Sequence, residues 1–119
     1  MRKGTEVREL AETIVFLEKS SKRDKASVWK RIADILRAPR RKRAAVNLGK
    51  ISKIAKEGAV VAVPGKVLGK GTLKHPLTIA CISSSQSVRD KVGKTGGKLL
   101  SFKELATENP KGSGVIIIR

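Results

Sequence analysis

The sequence has few of the residues on which catalysis and metal binding depend. It contains one cysteine, Cys81, one histidine, His75, and no tyrosine among its 119 residues. A single cysteine cannot form an internal disulfide, and one cysteine with one histidine cannot complete a four-ligand zinc site. The ten acidic residues fall mostly on expected helix surfaces beside basic residues. The sequence therefore predicts no enzyme, no catalytic residue, no metal, no cofactor and no small-molecule substrate.

Aromatic side chains are scarce as well, with one tryptophan and two phenylalanines. Trp29 lies on the apolar stripe of an expected helix, which favours a core position over a platform for base stacking. A nucleic acid would then be recognised through its phosphates, 2′-hydroxyls and shape. Cys81 lies in the apolar run 77–82, where a buried and unreactive thiol is expected because no nearby histidine or acid would activate it.

Long apolar segments are also missing, since no run reaches the length of a transmembrane helix. Near the start, Glu6 and Glu9 stand where a signal peptide would need its apolar stretch. No apolar helix face with aromatic anchors and no lipidation signal points to a membrane surface. We therefore expect a cytoplasmic protein without a membrane partner.

Positive charge, by contrast, is abundant. Lysine and arginine number 27 against 10 acidic residues, which gives a net charge of +17 and a pI near 10.8. A surface that repels itself this strongly is most simply explained by a polyanionic partner, and nucleic acid is the first candidate. The richest segment is 19–43, with eleven basic and two acidic residues.

The end of this segment, residues 37–43, reads Arg-Ala-Pro-Arg-Arg-Lys-Arg and is called the arginine-rich arm below. A core this small cannot bury so many charges, so the arm is expected to meet solvent or phosphate. A solvated charge run and a nuclear localisation signal are the alternatives to phosphate contact.

Apolar residues at three- and four-residue steps predict two N-terminal helices, over about 5–19 and about 25–37. Thr5 is a candidate cap for the first helix, and Pro39 is expected to stop the second. Residues 1–45 are therefore expected to be helical, with the arginine-rich arm at their end.

Strands and helices alternate over residues 46–119, which favours a mixed α/β core within one domain that spans the chain. Strands are expected over about 59–63, 77–82, 98–100 and 115–118. Pro64 and Gly65 are expected to end the first strand and open a loop. The last strand is apolar throughout and is expected to be buried on both faces.

Three short helices are expected among these strands. The first is capped by Asn47 and ends at Gly58, which would take a left-handed conformation. The second covers about 85–92. Ser101 and Glu104 form the capping-box pattern that begins the third.

The stretch 63–75 is a glycine-rich loop with lysines at short intervals. It is not a nucleotide-binding loop, because only three residues separate Gly65 from Gly69 where that motif needs four. Glycines allow backbone N–H groups to approach phosphate closely, so the loop is a candidate RNA contact. The alternative is that its glycines only permit a tight turn.

The motifs at 47–51, 63–69, 109–114 and 115–119 closely resemble the archaeal and eukaryotic large-subunit ribosomal protein family called L-eighteen-e, and the short chain resembles its archaeal members. This resemblance covers essentially the whole chain and is tightest over residues 46–119. It implies a fold shared with the C-terminal domain of the bacterial-type L-fifteen protein, an irregular superhelix of strand-strand-helix units, here preceded by helices. It also implies stable incorporation into the ribosome, with large-subunit ribosomal RNA and neighbouring ribosomal proteins as partners.

Candidate RNA-binding residues are basic residues, glycines and one histidine, and they lie in segment 19–43, in the short helix capped by Asn47 and in the glycine-rich loop. They are Lys22, Arg23, Lys25, Lys30, Arg37, Arg40, Arg41, Lys42, Arg43, Lys50, Lys53, Gly65, Lys66, Gly69, Lys70, Gly71, Lys74 and His75. For His75 an ordinary loop position is the simpler explanation.

The main alternative is a DNA-binding protein that uses 25–37 as a recognition helix and places the arginine-rich arm in a groove. Against this, Trp29, Ile32 and Leu36 give the helix a core face. No polar set suited to reading bases stands opposite to them.

Overall fold

The structure is a computed structural model that describes the backbone of residues 2–37 and 44–118 and the side chains of residues 9–37 and 45–118. Helices come first, and strands alternate with helices after them, as the α/β prediction requires. In chain order the elements are α1 (Arg2–Asp24), α2 (Ser27–Arg37), β1 (Ala44–Asn47), α3 (Leu48–Ile54), β2 (Val60–Leu68), β3 (Thr78–Ser84), α4 (Gln86–Lys94), β4 (Lys98–Leu100), α5 (Phe102–Glu108) and β5 (Val115–Ile117).

Helix α1 is longer at both ends than its apolar pattern predicts. It begins at Arg2, so Thr5 lies inside the helix and the prediction that Thr5 caps it is wrong. At the other end Lys25 takes a left-handed φ of 53°, and the Ala26 N–H donates a 3.1 Å hydrogen bond to the Ser21 carbonyl. This bond closes a Schellman C-cap, which glycine usually marks. Since lysine rather than glycine occupies the position, this helix end was not predictable from the sequence pattern.

The five strands form one parallel sheet with β2 at its centre. On one side β2 pairs with β3, which in turn pairs with β4. On its other side the two halves of β2 pair with different strands: 65–68 with β1, and 60–62 with β5. Strand β1 was not predicted, because four residues after a basic arm carry too little pattern to identify.

Strand β2 passes through Pro64 and Gly65, so the prediction that these residues end the strand is wrong. The pairing with β3 shifts register between Val63 and Lys66. Such an irregularity accommodates proline, which has no N–H to donate to the ladder. The exposed loop therefore begins only after Leu68.

Helices cover both faces of the sheet, and each face has its own hydrophobic core. Because side chains alternate along a strand, Val61 and Ile79 face one layer while Ala62 and Ala80 face the other. The first core includes α3 and α4 through Leu48, Ile51, Val88 and Val92. The second includes α1, α2 and α5 through Leu17, Trp29, Ile32, Phe102 and Leu105.

Three further predictions concern the capping box, the end of α3 and the burial of the last strand. The capping box is confirmed, since Ser101 Oγ accepts from the Glu104 N–H while the Ser101 N–H donates to Glu104 Oε1. Helix α3 ends at Ile54, so Gly58 does not terminate it; with φ +80° this glycine serves the following turn. The last strand is not buried on both faces, because β5 lies at the sheet edge and Ile116 is 37% exposed.

Candidate nucleic-acid interface

The loop 69–77, which joins β2 to β3, crosses the sheet on the same side as α3 and α4. Its apolar residues Leu73 and Leu77 are buried in the core of that face. The Lys74 N–H donates to Ser52 Oγ at 3.2 Å, and His75 Nε2 lies 2.6 Å from the Ala55 carbonyl oxygen. The second half of the loop is therefore fixed along α3.

The tip of the loop, Gly69 to Gly71, is held from both sides. The Lys91 Nζ of α4 donates to the carbonyl oxygens of Gly69 and Gly71, at 2.6 and 2.9 Å. From α3 the Gly49 N–H donates to the Lys70 carbonyl at 3.1 Å. The carbonyl oxygens of three consecutive residues therefore accept hydrogen bonds from other parts of the protein.

The two glycines at this tip have packing reasons of their own. Gly71 adopts a φ of +95°, and a Cβ there would lie 2.6 Å from the Gly49 Cα. A Cβ on Gly69 would collide with the Ser87 hydroxyl of α4. The positive φ of Gly71 agrees with the tight-turn explanation, whereas Gly69 is restricted by packing against α4. A substitution at either glycine would disturb packing whether or not RNA binds here. RNA contact at the loop has to be argued from its lysines.

Net positive charge is highest on the side of the molecule formed by α3, the loop and α4, which we call the basic face. Its exposed basic residues are Lys50, Lys53, Lys56, Lys70, Lys74, Arg89 and Lys94. Segments 48–58, 69–77 and 86–94 together hold eight basic and two acidic residues, a net charge of +6. For Lys53, Lys70 and Lys74 the described part of the chain supplies no acidic partner.

The layer of α1, α2 and α5 has a different electrostatic character. Segments 9–37 and 102–111 hold nine basic and seven acidic residues, a net charge of only +2. Four ion pairs join side chains within this layer: Arg23 with Asp24, Lys30 with Asp34, Arg37 with Glu18, and Lys103 with Glu12. The charge that makes 19–43 appear as the positive focus is therefore partly neutralised in the fold.

The candidate residues from the sequence are divided by the structure into several groups. Lys50, Lys53, Lys70 and Lys74 come together on the basic face, whereas Lys22 and Lys25 are exposed at the turn between α1 and α2. Arg23, Lys30 and Arg37 are in ion pairs. Arg40, Arg41, Lys42 and Arg43 lie outside the described residues.

Two candidates from the glycine-rich stretch lie in β2 rather than in the loop. Gly65 is buried and pairs with Ala44 of β1. Lys66 is exposed but alternates with the buried Val67, so its side chain points to the opposite side of the sheet from the basic face. Neither residue is positioned with the loop lysines.

The contribution of α4 to the basic face was not predicted from the sequence, since Arg89, Lys91 and Lys94 were not among the candidates. Ser85 was also missed: its Oγ accepts the Gly69 N–H at 3.1 Å. The available signal was the expected helix over about 85–92, which holds Arg89 and Lys91, is followed by Lys94 and comes directly after the strand expected over 77–82. The bonds of Lys91 to the loop depend on tertiary structure and had no sequence signal.

Cys81 is buried, and burial raises the pKa of its thiol to about 11, opposed by the positive charge of Arg89. The thiol is therefore protonated and unreactive at neutral pH, as the sequence predicted. Among the described residues no group of His, Cys, Asp and Glu is arranged to hold a metal ion. In the same residues no helix is long and apolar enough to cross a membrane.

Fold and charge together define a small basic α/β protein with one strongly positive face and one nearly neutral helical layer. Residues 4–119 match the family model described as ribosomal protein 60S L18 and 50S L18e. The chain is 45% identical over 107 residues to large ribosomal subunit protein eL18 of Methanococcus maripaludis, covering 90% of this chain and 89% of the relative.

Other relatives with the same description agree. The Pyrobaculum aerophilum protein is 42% identical over 103 residues, which cover 87% of this chain and 84% of that protein. The Archaeoglobus fulgidus protein is 46% identical over 101 residues, which cover 85% and 86%. The chain therefore belongs to the family of ribosomal proteins 60S L18 and 50S L18e.

Membership confirms the resemblance seen in the sequence motifs. The chain is a structural constituent of the large ribosomal subunit in the cytoplasm, and its family consists of structural proteins rather than enzymes. Membership in a family of ribosomal proteins argues against the hypothesis of a DNA-binding protein. In agreement, the face of α2 formed by Trp29, Ile32 and Leu36 is fully occupied in the core.

Proposed function

We propose that this chain binds large-subunit ribosomal RNA mainly through its basic face, with the arginine-rich arm as a second contact. The observation that carries the proposal is the unequal distribution of charge, with +6 on the segments of the basic face and +2 on the helical layer. A phosphate backbone is attracted to the more positive face, where Lys53, Lys70 and Lys74 have no acidic partner within the described residues. Lys30 and Lys103 of the helical layer would have to give up an existing ion pair.

The loop supports this role through both its side chains and its backbone. Lys70 and Lys74 are exposed on a segment whose carbonyl oxygens already have donors. The N–H groups of Lys70, Gly71 and Thr72 have no acceptor within the described residues. Backbone N–H groups and neighbouring lysines are the kinds of donor that bind phosphate oxygens.

The other candidates take lesser parts in this proposal. Lys22 and Lys25 at the turn between α1 and α2 are available to phosphate. Arg23, Lys30 and Arg37 contribute less, because each already has a carboxylate partner. Gly65 is buried and is not part of the proposed interface. Other proteins of the large subunit are the remaining neighbours in this proposal.

Two triple variants with the same loss of charge test the proposal. One replaces Lys53, Lys70 and Lys74 of the basic face with glutamine. The control replaces Lys30, Lys103 and Lys111, which lie in or beside the helical layer, in the same way. Both lower the net charge from +17 to +14. Binding to large-subunit ribosomal RNA is measured by filter retention across a series of salt concentrations.

The basic-face variant should flatten the slope of log K against log salt by roughly 2 to 3 units, since each lost phosphate contact removes about 0.7 to 0.9. The control should change the slope by less than about 1 unit. Equal changes in the two variants would mean that total charge, rather than the basic face, governs binding. A larger change in the control would place the RNA on the helical layer.

A further inference from the structure

The ammonium group of Lys91 is hydrogen-bonded to the loop, unlike that of Lys94 on the same helix. Lys91 is half-buried, and it donates to the Gly69 carbonyl at 2.6 Å and to the Gly71 carbonyl at 2.9 Å. Lys94, one turn further along α4, is exposed and has no partner among the described residues. The two lysines share a helix and a charge but not an environment.

The bonds of Lys91 join α4 to the loop at the point where α3 also holds it. Between the two carbonyls that Lys91 binds, the Lys70 carbonyl accepts the Gly49 N–H of α3. The Gly69 N–H completes the attachment through Ser85 Oγ. Without Lys91, the carbonyls of Gly69 and Gly71 lose their donors, and the tip keeps only the bonds to Gly49 and Ser85.

The ammonium also changes the electrostatics of the tip. Two carbonyl oxygens directed at one point create a negative potential that would repel a phosphate. A charged donor neutralises this potential, and hydrogen bonds from a charged donor are stronger than neutral ones. The unbonded N–H groups of Lys70, Gly71 and Thr72 are then left as the polar groups of the tip that an anion can meet.

We propose that Lys91 is a positioning residue, which orders the tip of the loop for RNA phosphates without contacting RNA itself. This proposal rests on the proposed function of the basic face. An ordered tip binds more tightly because the cost of ordering it is met before the RNA arrives. If Lys91 contributed only its charge, replacing it should have the same effect on RNA binding as replacing Lys94.

The test compares Lys91→Met with Lys94→Met, which remove equal charge from the same helix. In the free protein, hydrogen exchange is followed at the amides of Gly49, Gly69 and Lys74, each of which is bonded to or within the loop. Affinity for large-subunit ribosomal RNA is measured for both variants, and a thermal melt establishes that each is folded.

In Lys91→Met the hydrogen-exchange rates of these amides should be at least about tenfold higher than in wild type. In Lys94→Met the rates should be unchanged. Lys91→Met should also lower RNA affinity by about tenfold, against about threefold or less for Lys94→Met. Unchanged exchange in Lys91→Met would overturn the positioning role, as would equal losses of affinity in the two variants. If wild type itself does not bind RNA, the proposed function fails, while the exchange data still decide whether Lys91 orders the loop.

Discussion

Trp29 joins distant parts of the chain through a single side chain. It is fully buried, and its Nε1–H donates a 2.7 Å hydrogen bond to the carbonyl of Pro110, 81 residues away. Trp29→Phe removes this donor and some of the volume of the ring, so the unfolding free energy should fall by about 1 to 3 kcal/mol. Thermal unfolding followed by circular dichroism measures the change. A loss below about 0.5 kcal/mol would show that the bond contributes little.

Cys81 gives a prediction about pH. Burial raises the pKa of its thiol from the ordinary 9.0 to about 11, so the folded state favours the protonated form. Between about pH 9 and pH 11 the unfolded chain loses a proton that the folded chain keeps, and stability therefore falls as pH rises through this window. In Cys81→Ala this part of the fall should be missing. Parallel stability curves for the two proteins over this pH range would contradict the prediction.

Single residues were predictable where their surroundings in sequence resembled their surroundings in space. Trp29 and Cys81 lie in apolar stripes, and both are buried as predicted. Gly69 and Gly71 stand among lysines, which suggested phosphate, but the atoms that require glycine there belong to Ser87 and Gly49. Such packing across elements is invisible in a local sequence pattern.

At the level of elements, local signals succeeded where the stabilising contacts are themselves local. The capping box of α5 joins residues three positions apart, and it was identified from sequence. Strand β2 continues through Pro64 and Gly65 because neighbours on both sides pair with it, although the dipeptide alone favours a break. The loop was therefore predicted correctly, but its first residue was placed too early in the sequence.

The capping box should contribute measurably to stability. Ser101→Ala removes the hydroxyl that accepts the Glu104 N–H, which should cost about 1 kcal/mol and lower the melting temperature by a few degrees. Thr107→Ala in the same helix is the control, and it should cause no loss because alanine has the higher helix propensity. Equal losses in both variants would indicate that α5 responds to any truncation.

The arginine-rich arm, a prediction from sequence alone, should act through electrostatics. Replacing Arg40, Arg41, Lys42 and Arg43 together with alanine should flatten the salt dependence of RNA binding by up to about 3 units, because each phosphate contact contributes roughly 0.7 to 0.9. The same filter-retention series measures it. An unchanged slope would mean that the arm remains in solvent when RNA is bound.

At the scale of the whole molecule, the fold decides which face carries the excess of positive charge. The sequence places the richest basic segment at 19–43, yet folding brings that segment beside the acidic residues of α1 and α2. Lysines of α3, the loop and α4, which are spread over 45 positions in the sequence, become one surface instead. Net charge was therefore predictable from sequence, but the face that carries it depends on which elements share a side of the sheet.

Crosslinking within native large subunits tests this assignment most directly. The subunits are treated with 2-iminothiolane, which attaches to lysine amines, and are then irradiated so that only lysines close to RNA become joined to it. Peptides carrying Lys53, Lys70 and Lys74 should dominate the crosslinks to ribosomal RNA, while Lys30 and Lys103 should be nearly absent. Crosslinks concentrated at Lys30 and Lys103 would contradict RNA binding through the basic face.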